Sequence, residues 1–227
     1  MSIVQKVRAI LLRISGFLVP LIQQIPTLGI YTGLMTLPLL AALALLFTQF
    51  PMNILTVLAE FLMMSLMSIH VLIANLITIT GIVLAVYSVI YFHRHKKKGL
   101  VTTGPYRFMR HPQYTSFLLM TLGLTSYCYW WLSNTFGMGW LSKEATVALW
   151  FIQLGIYTTL ALLEESHLAK EFGDQYSVYK KQTSFFAPLG RFNHFDIPLG
   201  IGILSLAMLC LILVQSIGIV FAFASFS

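Results

Sequence analysis

Charge is what this sequence has least of: 9% of its 227 residues are Asp, Glu, Lys or Arg, against about a quarter in soluble globular domains. That scarcity excludes an ordinary water-soluble domain. Cysteine is nearly absent, and Cys128 and Cys210 both fall inside apolar runs, so neither a disulfide framework nor a metal-thiolate spacing can be read. There is no phosphate-binding loop, no Rossmann glycine fingerprint after a strand and no nucleophile elbow. Internal repeats and low-complexity tracts are also missing.

What fills the chain instead is hydrocarbon, with 58% hydrophobic residues and a mean hydropathy of +0.83. Apolar runs extend over Leu28 to Phe47, Ile54 to Phe92, Tyr114 to Leu132, Ala145 to Leu163 and Ile197 to Phe223. Most reach the roughly 20 residues that a helix needs to cross a hydrocarbon core. The expected fold is therefore all-α, a multi-pass transmembrane helical bundle of five spans, or up to seven. The run from Ile54 to Phe92 would be about 58 Å long as one helix, roughly two membrane thicknesses, so a turn is expected near Ser68 and His70. A weaker run, Ile10 to Ile25, is interrupted by Arg13, Pro20, Gln23 and Gln24 and suits the interface. The basic, apolar N-terminus lacks a clear small-residue cleavage site and is expected to belong to the mature protein.

The formal net charge is +7. Nucleic acid is not the expected partner, because the basic residues flank apolar spans instead of forming a stripe on a soluble fold. Positive loops held in the cytoplasm account for most of them, and His93-Arg94-His95-Lys96-Lys97-Lys98 reads as a membrane-edge anchor. Two spans separate the polar stretch 93–112 from the polar stretch 166–196. Both should then lie on the cytoplasmic side, facing each other, with Ser133 to Glu144 looping opposite. Three regions are expected: N-terminal spans over 1–92, a core over 93–196 and a last span over 197–227.

Polar chemistry concentrates in two places. In the first, residues 104–114, GPYRFMRHPQY, Gly104-Pro105 reads as a turn and Pro112 suits the first turn of the following span. Arg107, Arg110 and His111 then sit at a helix N-terminus on the water-lipid boundary, an electropositive place suited to an anionic group. Snorkelling arginines and a capping histidine are the plainer alternative. In the second, residues 162–181, Glu164 and Glu165 are adjacent and point about 100° apart on a helix, so one is expected to look inward and the other to meet water. A carboxylate at the membrane edge is costly unless paired or solvated, and Arg107, Arg110 and Lys170 are possible partners. Glu164 and His167 make a single Glu-x-x-His pair, where di-iron bundles use two; no metal is expected.

Together, "GLVTTGPYRFMRHPQYTSFLL" and "EESHLAKEFGDQYSVYKK" resemble the isoprenylcysteine carboxyl methyltransferase family and its phospholipid methyltransferase relatives. The shared pattern is Gly-Pro-Tyr-Arg, then Arg-His-Pro-x-Tyr, then Glu-Glu followed by Phe-Gly-x-x-Tyr-x-x-Tyr, over about residues 85–190. The resemblance implies a membrane methyltransferase that takes S-adenosylmethionine from the cytosol and methylates a lipophilic acceptor entering from the bilayer, such as an isoprenylated cysteine carboxylate or a phospholipid amine. It implies a cofactor pocket lined by Tyr106, His111, Pro112, Tyr114, Glu164 and Glu165, with Arg110 and Glu165 as the catalytic candidates and Phe172 to Lys181 as a lid. Arg110 with the helix end suits the donor's carboxylate; a glutamate suits its ammonium or ribose hydroxyls. The implied location is the inner membrane of a prokaryote or the endoplasmic reticulum of a eukaryote, with the site facing the cytoplasm. One departure concerns the acceptor: where the isoprenylcysteine enzymes carry Arg after Tyr-Lys-Lys, this chain has Gln182. Two rival readings are a sterol-reductase-like NADPH enzyme, which shares the Arg-His-Pro-x-Tyr element, and a small membrane transporter or scaffold. Glu60, His70 and Asn75 would serve the latter, though helix packing also explains them.

Overall fold

The computed structural model describes residues 28–48, 68–96, 99–134, 141–187 and 196–224, together with positions 55, 56, 59 and 63. The run Ile10 to Ile25, Glu60, Arg191 and the tip of the 133–144 loop fall outside them. The chain divides into two compact units, Met1–Pro38 and Leu39–Ser227, and the site lies in the second. Among the described residues the fold is all helical. Its α-helices are α1 (Leu28–Phe47), α2 (Ile69–His95), α3 (Pro112–Asn134), α4 (Lys143–Gln182) and α5 (Asp196–Ala224), with a 3-10 turn, Gly104–Arg107, between α2 and α3. The helix α2, the helix α4 and the stretch Ile197–Ser216 of α5 are long and apolar enough to cross a membrane. Ser68 is extended (φ −134°, ψ 119°) and caps α2, so the chain leaves the helix where the length argument places a turn.

The bundle is built inside out relative to a soluble protein. On α2 the buried positions include Ala74, Asn75, Thr78, Gly81 and Ser88, while Ile79, Ile82, Val83 and Val86 face outward. Lipid tails are as apolar as leucine, so burying aliphatic groups gains little. Close packing of small residues holds the helices instead. A side chain on Gly81 would run into the backbone of Ser116 and Met120, and one on Gly123 into Ala74 and Thr78, so α2 and α3 touch backbone to backbone.

Helix α3 is the middle of the bundle. Besides α2 it meets α4, where the Trp150 indole donates to the Leu118 carbonyl (3.2 Å), and α5, where Gln215 donates to Ser126 Oγ (3.0 Å). Being covered on several sides, it can carry Thr115, Ser116, Thr121, Thr125 and Ser126 buried, and hydroxyls such as that of Thr121 return hydrogen bonds to their own helix (Phe117 carbonyl, 3.0 Å). This explains why the least greasy of the expected spans is the most enclosed.

The helix α4 continues past the apolar run Ala145 to Leu163 as far as Gly173, whose backbone (φ 50°, ψ −119°) is non-helical. On a straight helix, residues 165 and 180 would be about 22 Å apart. Lys180 Nζ is instead 2.6 Å from Glu165 Oε2, so the chain doubles back at Gly173.

Candidate functional site

The site forms where three segments meet: the turn and loop 104–111, the end of the membrane part of α4, and the fold-back 174–187. The first is fixed from α2. Gly104 (φ 63°) lies against the Tyr91 ring, where any side chain would collide. Tyr91 stacks on His95 (4.1 Å between centroids), and its hydroxyl donates to Thr103 Oγ1 (2.7 Å). The Tyr106 hydroxyl accepts from Gln113 (2.9 Å). Burial, with Glu164 nearby, raises its pKa, so it stays a neutral donor.

The fold-back docks on the loop as a short strand would. Met109 and Ser184 form an isolated parallel bridge, the Arg110 amide donates to the Ser184 carbonyl (2.8 Å), and Thr115 Oγ1 donates to the Phe186 carbonyl (2.9 Å). The Tyr179 hydroxyl donates to the Tyr106 carbonyl (2.7 Å). Phe185 and Phe186 are fully buried, with Phe185 edge-on to His111 (5.0 Å) and beneath the Arg110 guanidinium (5.5 Å).

At the centre is a buried charge cluster. Arg110 Nε donates to Glu165 Oε1 at 2.5 Å, while its Nη1 donates to the carbonyls of Lys180 (3.2 Å) and Thr183. The Arg110 side chain is 1% exposed and that of Glu165 is 4% exposed. Lys180, half exposed, reaches in from water to the other Glu165 oxygen. His111 lies between the two carboxylates, with Nδ1 3.4 Å from Glu164 Oε2 and Nε2 3.4 Å from Glu165 Oε1. Burial alone would lower the His111 pKa, but the two glutamates outweigh it and raise it, so the imidazolium is favoured.

The geometry sorts the residues singled out in the sequence. Arg110, His111, Glu164, Glu165 and Tyr106 come together, and the buried Pro112 and Tyr114 complete the wall, the Tyr114 ring lying 5.6 Å from His111. Of the adjacent glutamates, Glu165 is the inner one. Arg107, Lys170 and Gln182 are exposed. Arg110 is spent on Glu165 and on carbonyls of the fold-back, so it joins the three segments rather than offering its fork to a ligand. Residues the sequence did not single out are Gly173, Lys180 as the partner of Glu165, and Thr183 to Phe186. A lone glycine in a helical pattern and a Phe-Phe pair after a polar stretch are the signals that mark them. Tyr176 is buried as well; burial, with Glu165 nearby, raises its pKa, so its hydroxyl also stays neutral.

Residues 56–175 match the family model described as phospholipid methyltransferase, a stretch covering more than half of the chain and including the loop and both glutamates. Compared with curated proteins and with solved structures, the chain has no significant match.

Proposed function

The chain belongs to the phospholipid methyltransferase family and is a membrane methyltransferase, and from that premise we propose that it uses S-adenosylmethionine to methylate a lipophilic acceptor at the cytoplasmic edge of the bilayer. The observation that carries the reading is the meeting of the buried Arg110, His111 and Glu165 with the part-exposed Glu164 where α3 and α4 come together. The donor is net cationic, and two carboxylates suit its ammonium and sulfonium groups.

The donor, when bound, supplies an electrophilic methyl carbon. Everything else falls to the chain. Glu164, 33% exposed in its side chain, is placed to bind from the water side, and Glu165 from within. The Tyr106 and Tyr176 hydroxyls offer neutral hydrogen bonds, and the ring of Tyr114 offers a flat surface for a base or a cation. Arg110 keeps Glu165 oriented and the fold-back docked. Orientation and exclusion of water then provide most of the rate of an in-line transfer. A lipid acceptor enters sideways between helices, whereas the polar donor arrives from the basic, cytoplasmic side, in an inner membrane or endoplasmic reticulum.

The test is transfer of labelled methyl from S-adenosylmethionine to prenylated cysteine, phosphatidylethanolamine and small thiols by the protein in lipid nanodiscs. Label in one lipophilic product is the expected result; no transfer to any of them refutes the reading. His111→Ala and Glu165→Gln are each expected to abolish donor binding. Parent-like binding by both would remove the site assignment.

A further inference from the structure

Glu165 is over-supplied with cations. Arg110 occupies one of its oxygens from inside the protein at 2.5 Å, and Lys180 the other at 2.6 Å, with His111 3.4 Å away. Arg110 is locked by its other bonds. Lys180 is not: its side chain is 46% exposed, and its position depends on the reversal at Gly173, beyond which the chain has no span until α5. A donor that brings its own ammonium would therefore meet an occupied carboxylate oxygen and a cluster already rich in positive charge.

From this the geometry points to Lys180 as an intramolecular stand-in for the donor's cation: its ammonium closes the Glu165 oxygen while the chain is folded back at Gly173, and must withdraw for a cationic ligand to bind there. The inference rests on the donor reading above and adds a residue that opposes binding. A lysine is suited to this exchange. Its compact ammonium on a flexible stem makes a single contact and returns to water readily, where an arginine fork would hold. The apparent affinity of a ligand falls by the fraction of molecules open to it, so the stand-in sets a threshold that only ligands able to replace it overcome.

The sign of one measurement decides between a stand-in and a permanent clamp. Binding of S-adenosylmethionine is measured by calorimetry on the full-length protein in detergent, for the parent, Lys180→Met and Lys180→Arg. Lys180→Met keeps the apolar stem and is expected to tighten binding about tenfold, the gain when roughly nine-tenths of molecules are closed; Lys180→Arg is expected to bind no tighter than the parent. 5′-Methylthioadenosine, which has no amino-acid moiety, leaves Lys180 in place and should bind both variants like the parent. Unchanged or weaker S-adenosylmethionine binding by Lys180→Met overturns the stand-in while the donor reading survives; absence of binding by the parent overturns the donor reading with it. Hydrogen exchange across α2 and α3 checks that the bundle is intact, and Lys180→Gln carries the same test if the methionine variant does not fold.

Discussion

Gly173→Ala isolates the backbone reversal from every side-chain contact. A methyl group added at Gly173 meets no atom within 4 Å, so crowding contributes nothing. The cost comes from φ 50° and ψ −119°, a mirror-image extended conformation in which an L side chain is strained by about 1–3 kcal/mol. If the folded-back form alone bears that strain, its equilibrium against an undocked form shifts by about 5- to 150-fold. An alanine relaxes most simply into the helical region, which would continue α4 straight and carry Lys180 about 22 Å along the axis from Glu165. The assay is hydrogen exchange of the amides of 174–187 in detergent, where opening should raise exchange by the same factor. Gly155→Ala is the control. It too has open space around it, but it lies within the helical part of α4, where alanine is favoured over glycine by about 0.5–1 kcal/mol, so no loss is expected. Parent-like exchange of 174–187 in Gly173→Ala, or equal losses in both variants, would refute the reasoning.

Two further predictions concern the cluster itself. Arg110→Lys keeps the charge, but one ammonium cannot serve Glu165 and the carbonyls of Lys180 and Thr183 together; it should lower stability by about 2–4 kcal/mol, read as a drop in melting temperature in detergent, and a parent-like melt would remove the stapling role of Arg110. Because the folded-state pKa of His111 is raised above its ordinary value of 6.5, its pairing with Glu164 and Glu165 stabilises fully below about pH 6.5 and is lost as pH rises through the raised value. The melting temperature should therefore fall on going alkaline from about pH 6.5, and His111→Gln should flatten that fall; a parent curve that stays level or rises would contradict the pairing.

The helices were legible in the sequence because the bilayer imposes a length on each apolar run. The run Leu28 to Phe47 is a helix with those limits, and Pro112 opens α3 as its fixed φ favours. The excess length of the Ile54 to Phe92 run also forecast the break at Ser68. Parity of crossings led to the expectation that the 104–111 loop and Glu164-Glu165 face each other, and they meet through Arg110 and Glu165. Hydropathy does not report how a helix turns after it leaves the membrane. The resemblance implied a lid over Phe172 to Lys181, but the residues around Gly173 read as helix on either side, and it is the positive φ that shows where the chain reverses. The role of Arg110 was hidden for a similar reason. A guanidinium near a helix end suits a ligand carboxylate as well as it suits Glu165, and the choice depends on where the Lys180 and Thr183 carbonyls come to lie.

The low dielectric near the bilayer makes the Arg110–Glu165 pair worth forming only if every remaining donor and oxygen finds a partner. The helices supply too few. Arg110 needs carbonyls from 180 and 183, and the second Glu165 oxygen needs a cation, so the cluster is complete only when the fold-back is docked. Two of the three segments at the site are continuous with the bundle helices α3 and α4, held by backbone contact at Gly81 and Gly123 and by Trp150. The third is joined to α4 through Gly173 and is held by its own bonds to Tyr106, Arg110 and Thr115. Movement of the fold-back breaks those bonds and withdraws Lys180 from the carboxylate that the donor needs. Docking of 174–187 and occupancy of Glu165 are in this way one equilibrium, and a substitution that shifts either should shift both.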